Sequence, residues 1–182
     1  DDRSIVYVAG SSSPTPFLQI ATTPADLSNI TLTAGTGLAA ANVDAFNNLT
    51  AFANGAITAT GPLIAGGNLL VNAGGAANLA DATAGGYIDV TGQSIAFGNA
   101  DAGGFVSLQA LGTGATDGIF GTGITAGSSV GINGRSIGID GTVQSGGSLF
   151  VNATAGNAAI GLADVAGDIA AFAATDLSGI YR

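Results

Sequence analysis

The sequence predicts an all-β protein, a single-stranded parallel β-helix (β-solenoid) of about eight coils of about 19 residues, on three observations. Short segments with alternating apolar positions recur at nearly constant spacing, each behind a Gly or Asn turn. Gly (31) and Ala (35) supply over a third of the 182 side chains, which argues against an ordinary α/β enzyme. Helix signals, meaning a 3.6-residue apolar period with caps, are nearly absent.

Residues 1–26 stand apart from the repeats. Ser4-Ile5-Val6-Tyr7-Val8-Ala9 reads as a strong strand, residues 10–16 as a Ser/Pro-rich linker, and Phe17-Leu18-Gln19-Ile20 as a further apolar segment. The expectation is an N-terminal strand and linker that caps the first coil or joins this segment to a preceding one. A strand donated to the open edge of a neighbouring molecule is the alternative.

Residues 27–182 carry the β-helix repeats. The first apolar position of each strand falls at Ile30, Leu49, Leu69, Ile88, Val106, Val130, Leu149 and Ile169, in steps of 19, 20, 19, 18, 24, 19 and 20. The long step is assigned to residues 112–118, a Gly-rich loop able to protrude without disturbing the stack. Because strand side chains alternate, these eight residues form one inward ladder. Leu32, Ala51, Val71, Val90, Leu108, Ile132, Val151 and Ala171 form a second. A second strand per repeat shows at Leu79-Ala80, Ile95-Ala96-Phe97, Ile137-Gly138-Ile139 and Ile160-Gly161-Leu162. A repeat this short cannot bury its own apolar face, so coils must stack, about 4.8 Å apart. Ala and Gly then permit tight turns and close approach of opposing strands inside a narrow section.

The charge inventory narrows function. All 12 acidic residues are Asp, the three basic ones are Arg3, Arg135 and Arg182, and His, Cys, Lys and Glu are absent. That removes Ser-His-Asp and Cys-His nucleophiles, His/Cys zinc sites, lysine Schiff bases and the Walker lysine. A net charge of −9 without a basic stripe argues against nucleic acid and against anionic lipid surfaces. At 47% apolar and 8% charged the chain should fold. No apolar run approaches the roughly 20 residues of a membrane-spanning helix, and the outward strand positions are too mixed for a membrane barrel. The absence of Cys fits bacterial export. The chain opens on Asp1 without a signal sequence, as a processed product or excised segment would.

Several rival patterns fail on inspection. Gly121-Thr122-Gly123-Ile124-Thr125-Ala126 loosely matches a dinucleotide fingerprint, yet no helix follows it. Asp81, Asp89, Asp101 and Asp140, with Arg135, bring to mind β-helical polysaccharide lyases and hydrolases, but Asp44, Asp101 and Asp164 share one repeat position on coils three apart. Most aspartates are expected to be turn residues bonding their own backbone. The double glycines do not continue into calcium-binding nonapeptides. An ice-binding rank of Thr is missing, since the position between the ladders reads Thr31, Thr50, Leu70, Asp89, Ser107, Gly131, Phe150, Ala170. Asn72, Asn133 and Asn152 recur after the second ladder, and the last two can stack their amides.

The runs Gly-Gly-Asn-Leu-Leu-Val-Asn-Ala (66–73), Gly-Gly-Tyr-Ile-Asp-Val-Thr-Gly (85–92), Gly-Gly-Phe-Val-Ser-Leu-Gln-Ala (103–110) and Gly-Gly-Ser-Leu-Phe-Val-Asn-Ala (146–153) resemble filamentous haemagglutinin-type repeats and, with them, autotransporter passengers. The resemblance covers about residues 27–175. It implies a right-handed parallel β-helix, exported by type V secretion across a Gram-negative outer membrane and serving as an adhesin or surface fibre.

A solenoid exposes unpaired backbone at both ends, and Ile169-Ala170-Ala171-Phe172-Ala173-Ala174 offers little to cap the last coil. The functional expectation is a non-enzymatic extracellular structural or adhesive rod at the cell surface. Its partners would be itself end to end, further repeats of a longer chain, or host-cell or surface glycans. The alternatives are a polysaccharide-active lyase or hydrolase and a self-assembling filament subunit without an adhesive role. No residue is assigned a catalytic, cofactor-binding or metal-binding role, and no cofactor is expected.

Overall fold

The fold was analysed in a computed structural model, which describes the backbone of residues 4–9 and 17–18 and the whole of residues 29–182. All the regular structure among these residues is strand, and every strand pair is parallel. The chain winds as a β-solenoid of stacked coils of about 19 residues, as the repeat spacing requires. Strands of a membrane-spanning barrel would instead be antiparallel.

Each coil contributes one strand to a first sheet of nine, which runs from Ser4–Ala9 and Asn29–Ala34 to Leu149–Ala153 and Ile169–Ala173. A second sheet of twelve strands runs from Phe17–Leu18 and Leu38–Ala40 to Ala158–Val165 and Leu177–Tyr181. Three of the twelve, Val43–Ala45, Leu63–Ala65 and Ala82–Ala84, form a separate third face in the early coils. From Ile95–Ala102 onward the second and third segments fuse into single strands of eight or nine residues. A register shift in the middle of these strands, such as that between Ile139 and Thr142, marks the former corner.

Both ladders read from the sequence are present in register, Ile30 over Leu49 over Leu69 and Leu32 over Ala51 over Val71, through to Ile169 and Ala171. Ser4–Ala9 extends them: it pairs with Asn29–Ala34 so that Ile5 takes the register position of Ile30. The Ser/Pro-rich linker lies outside the described residues.

The second sheet adds an inward column that the sequence shows only in part: Leu38, Ile57, Ala77, Ile95, Ile119, Ile137, Ala158 and Leu177. The third face adds Val43, Leu63, Ala82, Ala100, Ile124, Val143 and Ala163. Next to these runs a column of small residues, Ala45, Ala65, Ala84, Ala102 and Ala126, which Ser145 continues. Ser145 is the buried polar residue among those described, and its hydroxyl donates to Ser128 O at 2.7 Å.

The glycine corner that follows is set by proximity. Gly66, Gly85, Gly103, Gly127 and Gly146 stack there, and each amide donates to the coil before it, as Gly85 N does to Ala65 O at 2.9 Å. A Cβ on any of the last four would fall against the carbonyl oxygen of the preceding glycine, nearer than side chains approach backbone. Positive φ is not the reason, since only Gly179 among the described glycines has one. Gly131, on the outer face of the first sheet, has nothing within 4 Å of such a Cβ.

Gly103→Ala should therefore lower unfolding stability by about 1–3 kcal/mol, the usual penalty for overpacking. Gly131→Ala should raise it by about 0.5–1 kcal/mol, because it removes backbone freedom at a strand position with room for the methyl. Urea unfolding followed by circular dichroism measures both.

Candidate functional site

Since the inward positions are filled almost entirely by apolar residues, chemistry must come from outward positions, corners and the long loop. The aspartates depart from the turn-residue expectation. Asp44, Asp89, Asp101, Asp140 and Asp164 lie within strands. Asp81 accepts from Asn99 N (2.8 Å) and Nδ2 (3.2 Å) on the next coil, so it bonds across the stack. Asp117 does bond its own turn, accepting from Gly114 N at 2.6 Å. Alternation explains the difference, because an outward strand position solvates a carboxylate as well as a turn does.

Asp44, Ile64, Thr83, Asp101, Thr125, Gln144 and Asp164 follow one another in register on the third face. Its carboxylates thus stand three coils apart, about 14 Å at the usual strand spacing. Paired glycosidase carboxyls lie about 5–9.5 Å apart. Depressions of about 530 and 400 Å³ border Gln144 with Asp164 and Asp101 with Thr142. No group of three or more potential metal-ligating side chains occurs among the described residues.

The fingerprint-like run 121–126 lies inside the strand Ile119–Ala126. Gly121 is there for packing: a Cβ on it would strike the ring of Phe97, the bulky inward residue of the coil before.

Polar stacking is more extensive than the sequence reading expects. Asn152 Nδ2 does donate to Asn133 Oδ1 at 3.1 Å. A longer ladder stands at the corner before the first sheet. There Asn29 Oδ1 accepts from Asn48 N and Nδ2, Asn48 Oδ1 from Asn68 N, and Asn68 Oδ1 from Tyr87 N, at 2.9–3.2 Å. The same column continues with Tyr87 and Phe105, whose rings stack at 4.8 Å and 6°, and then with Ser129, Ser148 and Asp168. The signal was in the sequence, since each of these residues directly precedes a member of the first ladder.

The long loop joins Val106–Ala110 to Ile119–Ala126 and folds back toward the earlier coils. Leu111 N donates to Gly92 O at 2.8 Å and Gly112 N to Gln93 O at 2.9 Å. Asp117 N donates to Gly114 O at 3.0 Å, completing a small closed turn with the carboxylate bond described above. Beneath this overhang lies a groove of about 530 Å³ that reaches Asn72 two coils away, with Thr91, Gln93, Leu111, Thr113 and Asp117 along its walls.

Toward residue 182 the inward columns become more exposed. Ile169, Ala171 and Ala173 are only half buried, and Leu177 and Ile180 are 47% and 63% exposed. Phe172 is exposed and lies 6.3 Å from the Phe150 ring. Burial raises the Tyr181 phenol above its ordinary value, and its hydroxyl donates to Ser178 O at 3.3 Å.

No protein-family model, curated protein or solved structure matches the chain.

Two consequences are measurable. Gly121→Ala should cost about 1–3 kcal/mol, and the loss should shrink in the Phe97→Leu background, giving a coupling energy of about 0.5–3 kcal/mol in a double-mutant cycle. Asn48→Ala removes the link that both donates to Asn29 and accepts from Asn68, and should cost about 1–2 kcal/mol in urea unfolding, more than Asn133→Ala, which breaks a single amide bond.

Proposed function

We propose that the chain is a non-enzymatic β-helical rod, a segment or subunit of a bacterial surface fibre or adhesin that works outside the cell. The observation carrying this reading is the unbroken stacking of the coils, whose inward columns run in register from Ile30 and Leu32 to Ile169 and Ala171. Each coil contacts only its neighbours, so a stack of this kind is a rod. Parallel pairing throughout and aliphatic columns give the rod stiffness, while its varied outward residues are available for contact. The resemblance of the Gly-Gly repeats to filamentous haemagglutinin-type proteins supports the surface role, the type V export route and the Gram-negative source.

Attachment of protein-coated beads to epithelial cells and to immobilised glycoproteins tests the adhesive role, and reducing-sugar release from acidic and neutral polysaccharides tests the non-enzymatic one. Attachment without turnover is the expected result. Turnover would make the chain a polysaccharide-active enzyme, and failure to attach would leave a rod without an adhesive role.

A further inference from the structure

We propose that the groove beneath the 111–117 loop is a binding site for a neutral saccharide. This rests on the reading of the chain as an adhesive rod and names where, and to what, it would adhere.

At the groove the repeat is lengthened by an inserted loop, Val106 to Val130 being 24 residues, and insertions in stacked repeats gather on binding faces. The loop is shaped in advance. Leu111 and Gly112 are tied by their amides to the coil beneath, and Asp117 closes the turn onto Gly114 through both its side chain and its own amide. A Cβ on Gly112 or Gly114 would crowd the Asp117 carboxylate, so glycine at both positions lets that carboxylate sit inside the turn.

The wall chemistry selects the ligand. Asn72 and Gln93 supply carboxamides, each able to donate and accept. Thr91 and Thr113 supply hydroxyls, and Asp117 has one oxygen on Gly114 N and a second with acceptor capacity. Leu111, 59% exposed, supplies an apolar edge. No cation lines the groove, and the chain carries a net charge of −9, which disfavours sulfated, phosphorylated or sialylated ligands. A lone carboxylate is a poor site for calcium, which takes about 6–8 oxygen ligands. A ligand with many hydroxyls, each both donor and acceptor, and an apolar C–H face matches what is left. A volume of about 530 Å³ falls within the usual range for small-molecule sites, about 300–1,000 Å³.

The test is a ¹H–¹⁵N titration of the whole chain with methyl glycosides of glucose, galactose, mannose and N-acetylglucosamine and their common disaccharides, at concentrations on the order of 10 mM, enough to fill a millimolar site. At least one saccharide should shift the amides of Gly112 and Gly114 and the side-chain amides of Asn72 and Gln93, saturably. Gln93→Ala should weaken that binding about 5–10-fold, the loss of one ligand hydrogen bond, and Gln144→Ala on the third face should leave it unchanged. Absence of saturable shifts with every sugar, shifts confined to other faces, or a response only to a lysine-rich control peptide would overturn the proposal. Beads that attach to cells while the loop amides stay still would overturn this site and leave the adhesive reading standing. Beads that fail to attach would count against the adhesive reading, whatever the loop amides do.

Discussion

Every feature of this molecule depends on one constraint, the fixed separation of hydrogen-bonded parallel strands, about 4.8 Å from coil to coil. Backbone pairing along the stack sets that distance before any side chain is chosen. Each position in the repeat therefore lies over its counterpart 18 to 25 residues earlier, and a residue is acceptable only if it fits beneath and above its own kind. Aliphatic residues satisfy this inside, where Ile30, Leu49, Leu69 and Ile88 pack as a continuous column. Amides satisfy it at the corner, where Asn29, Asn48 and Asn68 pass hydrogen bonds along the stack.

The same constraint accounts for the abundance of tiny side chains. Where the chain turns sharply, successive coils approach so closely at Gly85, Gly103, Gly127 and Gly146 that no Cβ fits beside the carbonyl of the coil before. The neighbouring alanine column is buried beside that corner. Volume is also balanced locally. Phe97 projects where Gly121 leaves room, so a stretch that looks like a phosphate-binding turn is a packing solution.

A stack held by nearest-neighbour contacts tolerates a loop at one corner because only two interfaces feel it. The 111–118 insertion uses that freedom. It leaves the pairing of Val106 with Val130 and of Ile95 with Ile119 intact while roofing a polar groove two coils deep. Stacking also keeps single carboxylates apart. Residues sharing a repeat position can meet only on adjacent coils, and Asp44, Asp101 and Asp164 are not so placed.

The sequence by itself determined the repeat length, the parallel stacking, both columns of the first sheet and the position of the long loop, because a period-two apolar pattern at constant spacing has one compact solution. It also placed the short Asn133–Asn152 contact. What it left hidden were the strands built largely of alanine and single aliphatics, such as Leu38–Ala40 and Ala82–Ala84, whose propensities are weak and whose existence depends on the coils on either side. The closed turn at Asp117, the groove it roofs and the partner of Gly121 were decided by the tertiary structure alone. Each depends on how close one coil comes to the next, a distance that no local pattern of residues encodes.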